Sequence, residues 1–130
     1  MDNAVKSAQK AFENSWSNLH PRERAKYLRS LADQLRENSE HLGKIETIDT
    51  GKLFRETKTQ ANYIAEYYDY FAGLADKVEG TVVPIDKPDM QVITTRIPIG
   101  VVAAIIPWNS QMLLTAVKLA PASNGKYGSN

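Results

Sequence analysis

The sequence predicts an incomplete α/β fold, in which N-terminal helices precede the first strands of a sheet. Apolar residues recur at helical spacing over residues 4–80, which is typical of amphipathic helices. Residues 101–106 then form an unbroken apolar run that stops at Pro107, as in a strand buried on both faces of a parallel sheet. Such a strand needs neighbours on both edges. Too few strand-like segments follow it, so the fold is predicted to be the front part of a larger one.

The composition is that of an ordinary globular chain, with 42% hydrophobic and 24% charged residues. The net charge of +1 gives no reason to expect binding to nucleic acid or to an anionic membrane. The chain has no cysteine, which excludes disulfides, thiolate metal ligands and a cysteine nucleophile within it. Because there is no signal-peptide pattern and no run as long as a membrane span, we expect a cytoplasmic protein.

Three amphipathic helices are predicted in the first part of the chain. Pro21 suits the first turn of the second helix. Asn38 or Ser39 can cap the third helix, and Gly51 can end it in the left-handed conformation. Their apolar stripes comprise Val5, Ala8, Phe12 and Trp16, then Leu28, Leu31, Ala32 and Leu35, then Leu42, Ile45 and Ile48.

The fourth predicted helix is the longest and ends before Gly80. We interpret its tyrosines as core or interface residues, because tyrosine rings on an apolar stripe usually pack there. The stripe comprises Ala61, Ile64, Tyr68, Phe71 and Ala75, broadened by Tyr63, Tyr67 and Tyr70.

Beyond Gly80 the predicted elements change in kind. Thr81–Pro84 is a short β-like segment, and the alternating, β-branched stretch Met90–Ile97 predicts a strand. Met112–Leu119 predicts a further helix. The chain is thus predicted to divide into a helical part at 1–80, a β-arm or linker at 81–99, the first sheet strand and helix at 100–122, and an irregular tail at 123–130.

The end of the predicted buried strand is the candidate functional site. In open α/β sheets, ligands bind outside the carboxyl ends of the strands, so Trp108 and Asn109 are expected at a binding mouth. The Asn109 amide carries two N–H donors that can stabilise a negative oxygen. The residues alone leave a second interpretation open, in which Trp108 covers the core and Asn109 is a turn or cap residue.

Several motifs in order resemble the aldehyde dehydrogenase superfamily. Arg96–Val102 followed by Ile105–Asn109 is similar to the family's "reP.GVv…i.PWN" stretch. Ile45–Lys52 resembles its "lEt.DtGK" segment. Weaker similarities lie in Arg24–Leu28, Tyr67–Gly73 and Lys118–Ala122, so the resemblance runs from about Ala4 to Ala122.

The resemblance implies an NAD(P)-dependent enzyme that oxidises an aldehyde to an acid. It implies a Rossmann-like cofactor domain and a β-arm that makes homodimers or homotetramers. Asn109 would be the catalytic oxyanion donor, and Ile105, Ile106, Pro107 and Trp108 would line the cofactor site. Asp49 matches a position that helps to bind a monovalent cation in some members; the other interpretation of Asp49 is a hydrogen-bonding residue at a helix end.

The chain departs from the family pattern in two places that bear on function. Ser110-Gln111 replaces the usual aromatic residue and proline after the PWN triplet, which is expected to affect substrate preference. The family's catalytic cysteine and base glutamate lie downstream of the matched region, and this chain has no cysteine. We therefore expect the chain alone to be an inactive fragment. The alternative is a non-catalytic module that associates with an intact dehydrogenase subunit.

The last residues, 123–130, differ from the family text, which continues after Ala122 as Leu-Ala-x-Gly-Asn-Thr-Val-Val. When Ser123–Asn130 is back-translated with AGY serine codons and read one base later, the codons are compatible with Ala-Thr-Gly-Asn-Thr-Val-Val. We therefore expect a frameshift within a leucine codon after Ala122. The alternative is a deliberately truncated chain with an ordinary disordered tail.

Overall fold

The computed structural model describes residues 1–124, which form mainly helices. None of the described helices combines the length and apolar character of a membrane span. In chain order the elements are α1 (Asp2–Asn14), a 3-10 turn (Trp16–Asn18), α2 (Pro21–Glu37), α3 (Ser39–Thr50), α4 (Phe54–Leu74), β1 (Val82–Val83), β2 (Val92–Ile93) and α5 (Gln111–Ser123).

The predicted helix boundaries in the first part of the chain are confirmed. Pro21 occupies the first turn of α2, where its missing N–H leaves no bond unmade. The His20 ring accepts a hydrogen bond from the Arg22 N–H at 3.3 Å and so caps this helix. Asn38 is the cap position of α3, and Gly51 ends α3 with a φ of 75°.

Helix α4 lies at the centre of the described chain and packs against α2, α3 and α5. Its buried face is rich in alanine, which lets the neighbouring helices approach closely. Tyr68 is buried in this core, whereas Tyr63 and Tyr70 are exposed. The core comprises Ala25, Leu28, Ala32, Ile64, Ala65, Tyr68, Ala72, Ala75, Ala116 and Ala120.

The predicted apolar stripe of α3 is wrong in part. Ile45 is 50% exposed and Ile48 is 84% exposed, while the carboxylate-bearing Glu46 is 4% exposed. The reason is the close approach of α3 to α4, where a Cβ added to Gly43 would lie 2.9 Å from the Lys58 backbone. This contact turns the Gly43–Glu46 face inward.

The β-arm segment contains a minimal antiparallel hairpin. Val82 pairs with Ile93 and Val83 with Val92, so the strand predicted over Met90–Ile97 is formed over two residues only. The Thr94 N–H donates to the Thr81 carbonyl at 2.8 Å and extends the pairing.

The buried strand predicted at 101–106 is not formed in this structure. Residues 101–107 have no strand assignment, because the described chain offers them no neighbouring strand to complete a ladder. With no neighbouring strand to cover them, Val101, Val102 and Ile105 are 39%, 50% and 85% exposed.

The predicted helix of the last segment is confirmed, and it extends further than predicted. Helix α5 continues past Pro121 to Ser123, so the predicted irregular tail is wrong at its first residue. Asn124 follows as a fully buried residue at the helix end. The rest of the predicted tail, residues 125–130, lies outside the described residues.

Candidate functional site

The candidate site is the turn at residues 105–109 that leads into α5. Ile105 is 85% exposed and Trp108 is 79% exposed, and Asn109 is exposed as well. Pro107 is exposed and Ile106 is half-buried. The residues that the sequence singled out are therefore contiguous and largely accessible. They stand at the positive end of the α5 dipole, which favours a negative ligand group.

The N-terminus of α5 is capped by a residue from another helix. Ser110 holds the cap position, yet its hydroxyl makes no capping hydrogen bond. Instead, the Met112 N–H donates to Oε2 of Glu46 at 3.2 Å. Because the first N–H groups of a helix have no partner inside the helix, the Glu46 carboxylate takes over the role that a serine cap usually plays.

Lys52 joins the same cluster. Its ammonium donates to Ser110 Oγ at 2.9 Å and to Glu46 Oε1 at 3.5 Å. The Glu46 side chain is 2% exposed and that of Lys52 is 31% exposed. A buried carboxylate is costly unless it is paired and hydrogen-bonded, and here the Lys52 charge and the Met112 N–H meet that requirement.

A third bond links the end of α3 to the start of α5. The Gln111 side-chain amide donates to Oδ2 of Asp49. Three consecutive residues after Asn109 are thus bound by Glu46 and Asp49 of α3 and by Lys52, which follows that helix. We call this set the α3–α5 clamp; its members are Glu46, Asp49, Lys52, Ser110, Gln111 and Met112.

The end of α3 is itself held in place by threonine hydroxyls. Thr50 Oγ1 donates to the Glu46 carbonyl at 2.6 Å. The buried hydroxyl of Thr57 on α4 donates to the Gly43 carbonyl at 2.8 Å and lies 2.8 Å from the hydroxyl of Thr47. The clamp therefore rests on the packed α3–α4 interface.

The surroundings of Asp49 bear on its predicted role as a cation ligand. Within residues 1–124 no group of three acidic or histidine side chains could hold a metal ion. Asp49 is exposed, and one of its carboxylate oxygens is bound to Gln111. In this structure Asp49 makes a hydrogen bond near a helix end, as the second interpretation of the sequence expects, and its role as a cation ligand stays a prediction.

Sequence reasoning missed Glu46 and Lys52 as residues of the site. A usable signal was present, because Glu46 and Asp49 are separated by three positions and therefore share one face of α3. Two carboxylates on one helix face, close before a left-handed glycine and a lysine, indicate that the helix end binds something polar. The sequence could not show that the partner is the start of α5.

Comparison with known proteins shows which family the sequence matches. Residues 1–124 match the family model described as "Aldehyde dehydrogenase family". The chain is 54% identical over 123 residues to (Z)-2-((N-methylformamido)methylene)-5-hydroxybutyrolactone dehydrogenase of Acinetobacter baylyi, covering 94% of this chain and 25% of that protein. It is 39% identical over 120 residues to betaine aldehyde dehydrogenase of Bacillus subtilis, covering 92% and 24%.

The structure of the chain is also similar to solved structures. A double mutant of betaine aldehyde dehydrogenase from Staphylococcus aureus, in complex with NAD+, superposes with a TM-score of 0.88 at 37% identity, over 96% of this chain and 25% of that one. An NADP-dependent enzyme from E. coli superposes with a TM-score of 0.90 at 30% identity, over 96% and 26%. The chain thus spans about a quarter of the length of the proteins it matches and has the fold of their N-terminal part.

Proposed function

Because this chain belongs to the aldehyde dehydrogenase family, we propose that it supplies one corner of the active site of an NAD(P)-dependent enzyme that oxidises an aldehyde to a carboxylic acid. The observation that carries the proposal is the position of Asn109. Its exposed amide lies in the turn immediately before the clamped N-terminus of α5.

In this proposal the Asn109 amide donates a hydrogen bond to the oxygen of the aldehyde as negative charge develops there. Such a donor acts most strongly when it is fixed in advance, so that no reorganisation is needed during the reaction. The clamp on Ser110, Gln111 and Met112 supports a fixed position for Asn109. The positive end of α5 adds to the stabilisation.

The residues before Asn109 suit one wall of a cofactor site. Ile105 and Trp108 present exposed apolar surface, and binding sites for cofactors are lined mainly by such side chains with a few polar groups. We assign Ile105, Ile106, Pro107 and Trp108 to this wall. The bound nicotinamide would supply hydride acceptance. One similar solved structure is a complex with NAD+, and another is that of an NADP-dependent enzyme. We therefore propose NAD or NADP as the cofactor.

The 130-residue chain by itself is proposed to be inactive towards aldehydes. It contains no cysteine and hence no thiolate that could add to the carbonyl carbon. The frameshift after Ala122 is proposed as the origin of residues 123–130, and the nucleotide sequence across Ala122 tests it. Asp49 remains a proposed ligand of a monovalent cation, for which its exposed carboxylate is the available donor.

A chimera tests the role of Asn109. Residues 4–122 of this chain would replace the matching region of the Acinetobacter baylyi relative, which is 54% identical. We expect an active chimera, and we expect Asn109→Ala to lower its kcat by roughly 100- to 1,000-fold, the usual effect of losing one oxyanion donor. Asn18→Ala, an exposed asparagine in the 3-10 turn, is the matched control. Equal kcat values for the Asn109→Ala and parent chimeras would contradict the proposal.

A second candidate function is supported by the uncovered apolar surface of the β-arm region. Val82, Ile93 and Ile97 are 63%, 60% and 76% exposed, and the two-stranded hairpin has open edges. The chain would then associate with a subunit of an intact dehydrogenase, a family in which homodimers or homotetramers are expected. Co-purification of the tagged chain with a co-expressed full-length relative tests this function; a chain that elutes alone contradicts it.

A further inference from the structure

We propose that Glu46 and Lys52 are positioning residues, which hold the Trp108–Asn109 turn in place through the start of α5. The inference rests on the proposed function, because it names what the clamp is for. It goes beyond that function by assigning a task to two residues to which the proposed function gives no role.

The cap of helix α5 comes from a distant part of the chain. The carboxylate that receives the Met112 N–H lies 66 residues away in sequence, whereas the local Ser110 makes no cap. A local cap would stabilise α5 without reference to the rest of the fold. A cap from α3 instead ties the start of α5, and the turn before it, to the packed α3–α4 interface.

The Ser110 hydroxyl binds Lys52 instead of capping α5. Because it is free of the capping role, it accepts a hydrogen bond from Lys52 at 2.9 Å. Ser110 is 9% exposed and directly follows Asn109. Its backbone carbonyl also accepts the Leu114 N–H at 3.0 Å. The side chain and the backbone carbonyl of Ser110 are therefore both hydrogen-bonded, which restricts the backbone of the preceding Asn109.

The charge of the Glu46 carboxylate is balanced by Lys52. A carboxylate alone at the start of α5 would oppose the development of a negative oxygen beside Asn109. Lys52 lies 3.5 Å from Glu46 Oε1 and balances the charge of that carboxylate, so the Glu46–Lys52 pair adds no net charge beside the turn. Lys52 thus holds Ser110 through a hydrogen bond and neutralises the charge of Glu46.

The test uses the 130-residue chain and needs neither cofactor nor aldehyde, so its outcome is independent of the proposed function. Trp16→Phe leaves Trp108 as the reporter indole, since the chain has two tryptophans. In this background we expect Lys52→Gln to lower the fluorescence anisotropy of Trp108. Lys52→Arg keeps the positive charge and should leave the anisotropy at the value of the Trp16→Phe parent. Lys44→Gln is the matched control, because Lys44 forms an exposed pair with Glu40 on the same helix.

Amide hydrogen exchange measures the Glu46 bond directly. The Met112 N–H has its hydrogen bond to Glu46 rather than to its own helix, so we expect Glu46→Ala to accelerate its exchange by about tenfold. Ser110→Ala removes only the Lys52 acceptor, and it replaces Glu46→Ala if that variant fails to fold. Unchanged Met112 exchange in Glu46→Ala, or unchanged Trp108 anisotropy in both Lys52→Gln and Ser110→Ala, would overturn the proposal.

Discussion

Glu46 on α3 accepts a hydrogen bond from the backbone N–H of Met112 on α5 at 3.2 Å. This hydrogen bond joins two segments that lie 66 residues apart in the sequence. It also explains why an acidic side chain occupies the buried face of α3, where Ile45 and Ile48 were expected.

Glu46→Ala is expected to lower the free energy of unfolding by about 1–3 kcal/mol, because it removes the charged acceptor of the half-buried Met112 N–H. Urea denaturation followed by circular dichroism measures the change. Lys44→Gln, which removes an exposed ion pair from the same helix, should alter stability by less than about 0.5 kcal/mol. Equal effects of the two substitutions would show that the hydrogen bond between Glu46 and Met112 adds no stability beyond that of an exposed ion pair.

Two glycine substitutions test the α3–α4 contact. Gly43→Ala places a Cβ 2.9 Å from the backbone of Lys58, and the helices must separate, at a cost of roughly 1–3 kcal/mol. Gly73→Ala in α4 meets nothing within 4 Å and should stabilise by up to about 1 kcal/mol through helix propensity. The signs are therefore opposite, and a stabilising Gly43→Ala would contradict the packing described.

Asn124→Ala is expected to stabilise the chain. Asn124 is fully buried, and its side-chain oxygen and nitrogen have no hydrogen-bond partner within the described residues. An unsatisfied buried polar group costs about 1–3 kcal/mol, and alanine removes it. Asn38→Ala is the control, because its amide is bound to the Gln34 carbonyl and its loss brings no gain. A destabilised Asn124→Ala variant would refute the assignment.

Tyr68 should ionise at a higher pH than a tyrosine in water. Burial raises its pKa above the usual value, so the favourable contribution of the neutral phenol is complete below the unfolded-state pKa and is lost as pH rises through the folded-state pKa. The difference in tyrosinate absorbance between the parent and Tyr68→Phe, followed against pH, measures this shift. Tyr68→Phe should resist alkaline unfolding better than the parent, whereas Tyr63→Phe should not, because Tyr63 is exposed.

Much of the helical architecture could be predicted from local rules. Pro21 and Gly51 mark helix ends because of their own backbone restrictions, and both act as predicted. The strand at 101–106 could not be judged in this way. Its apolar pattern is genuine, but a strand exists only through hydrogen bonds to a neighbour, and the described residues supply none.

The buried face of α3 shows the same limit from another side. Hydrophobicity favoured Ile45 and Ile48, yet the nearby Gly43 lets α4 approach so closely that Glu46 is carried inward. The pattern of apolar residues records preference for burial, whereas the contact between two helix surfaces decides which preferences are met.

By itself, the sequence determined the helices, the family, and the chemistry that Trp108 and Asn109 can offer, because these depend on residue type and local spacing. Only the tertiary structure decided that Glu46, Asp49 and Lys52 form hydrogen bonds with the start of α5 beside that turn. Partners separated by about 60 residues, such as Lys52 and Ser110 at 58, are brought together by the packing of α3 and α5 on α4. No local pattern encodes that geometry.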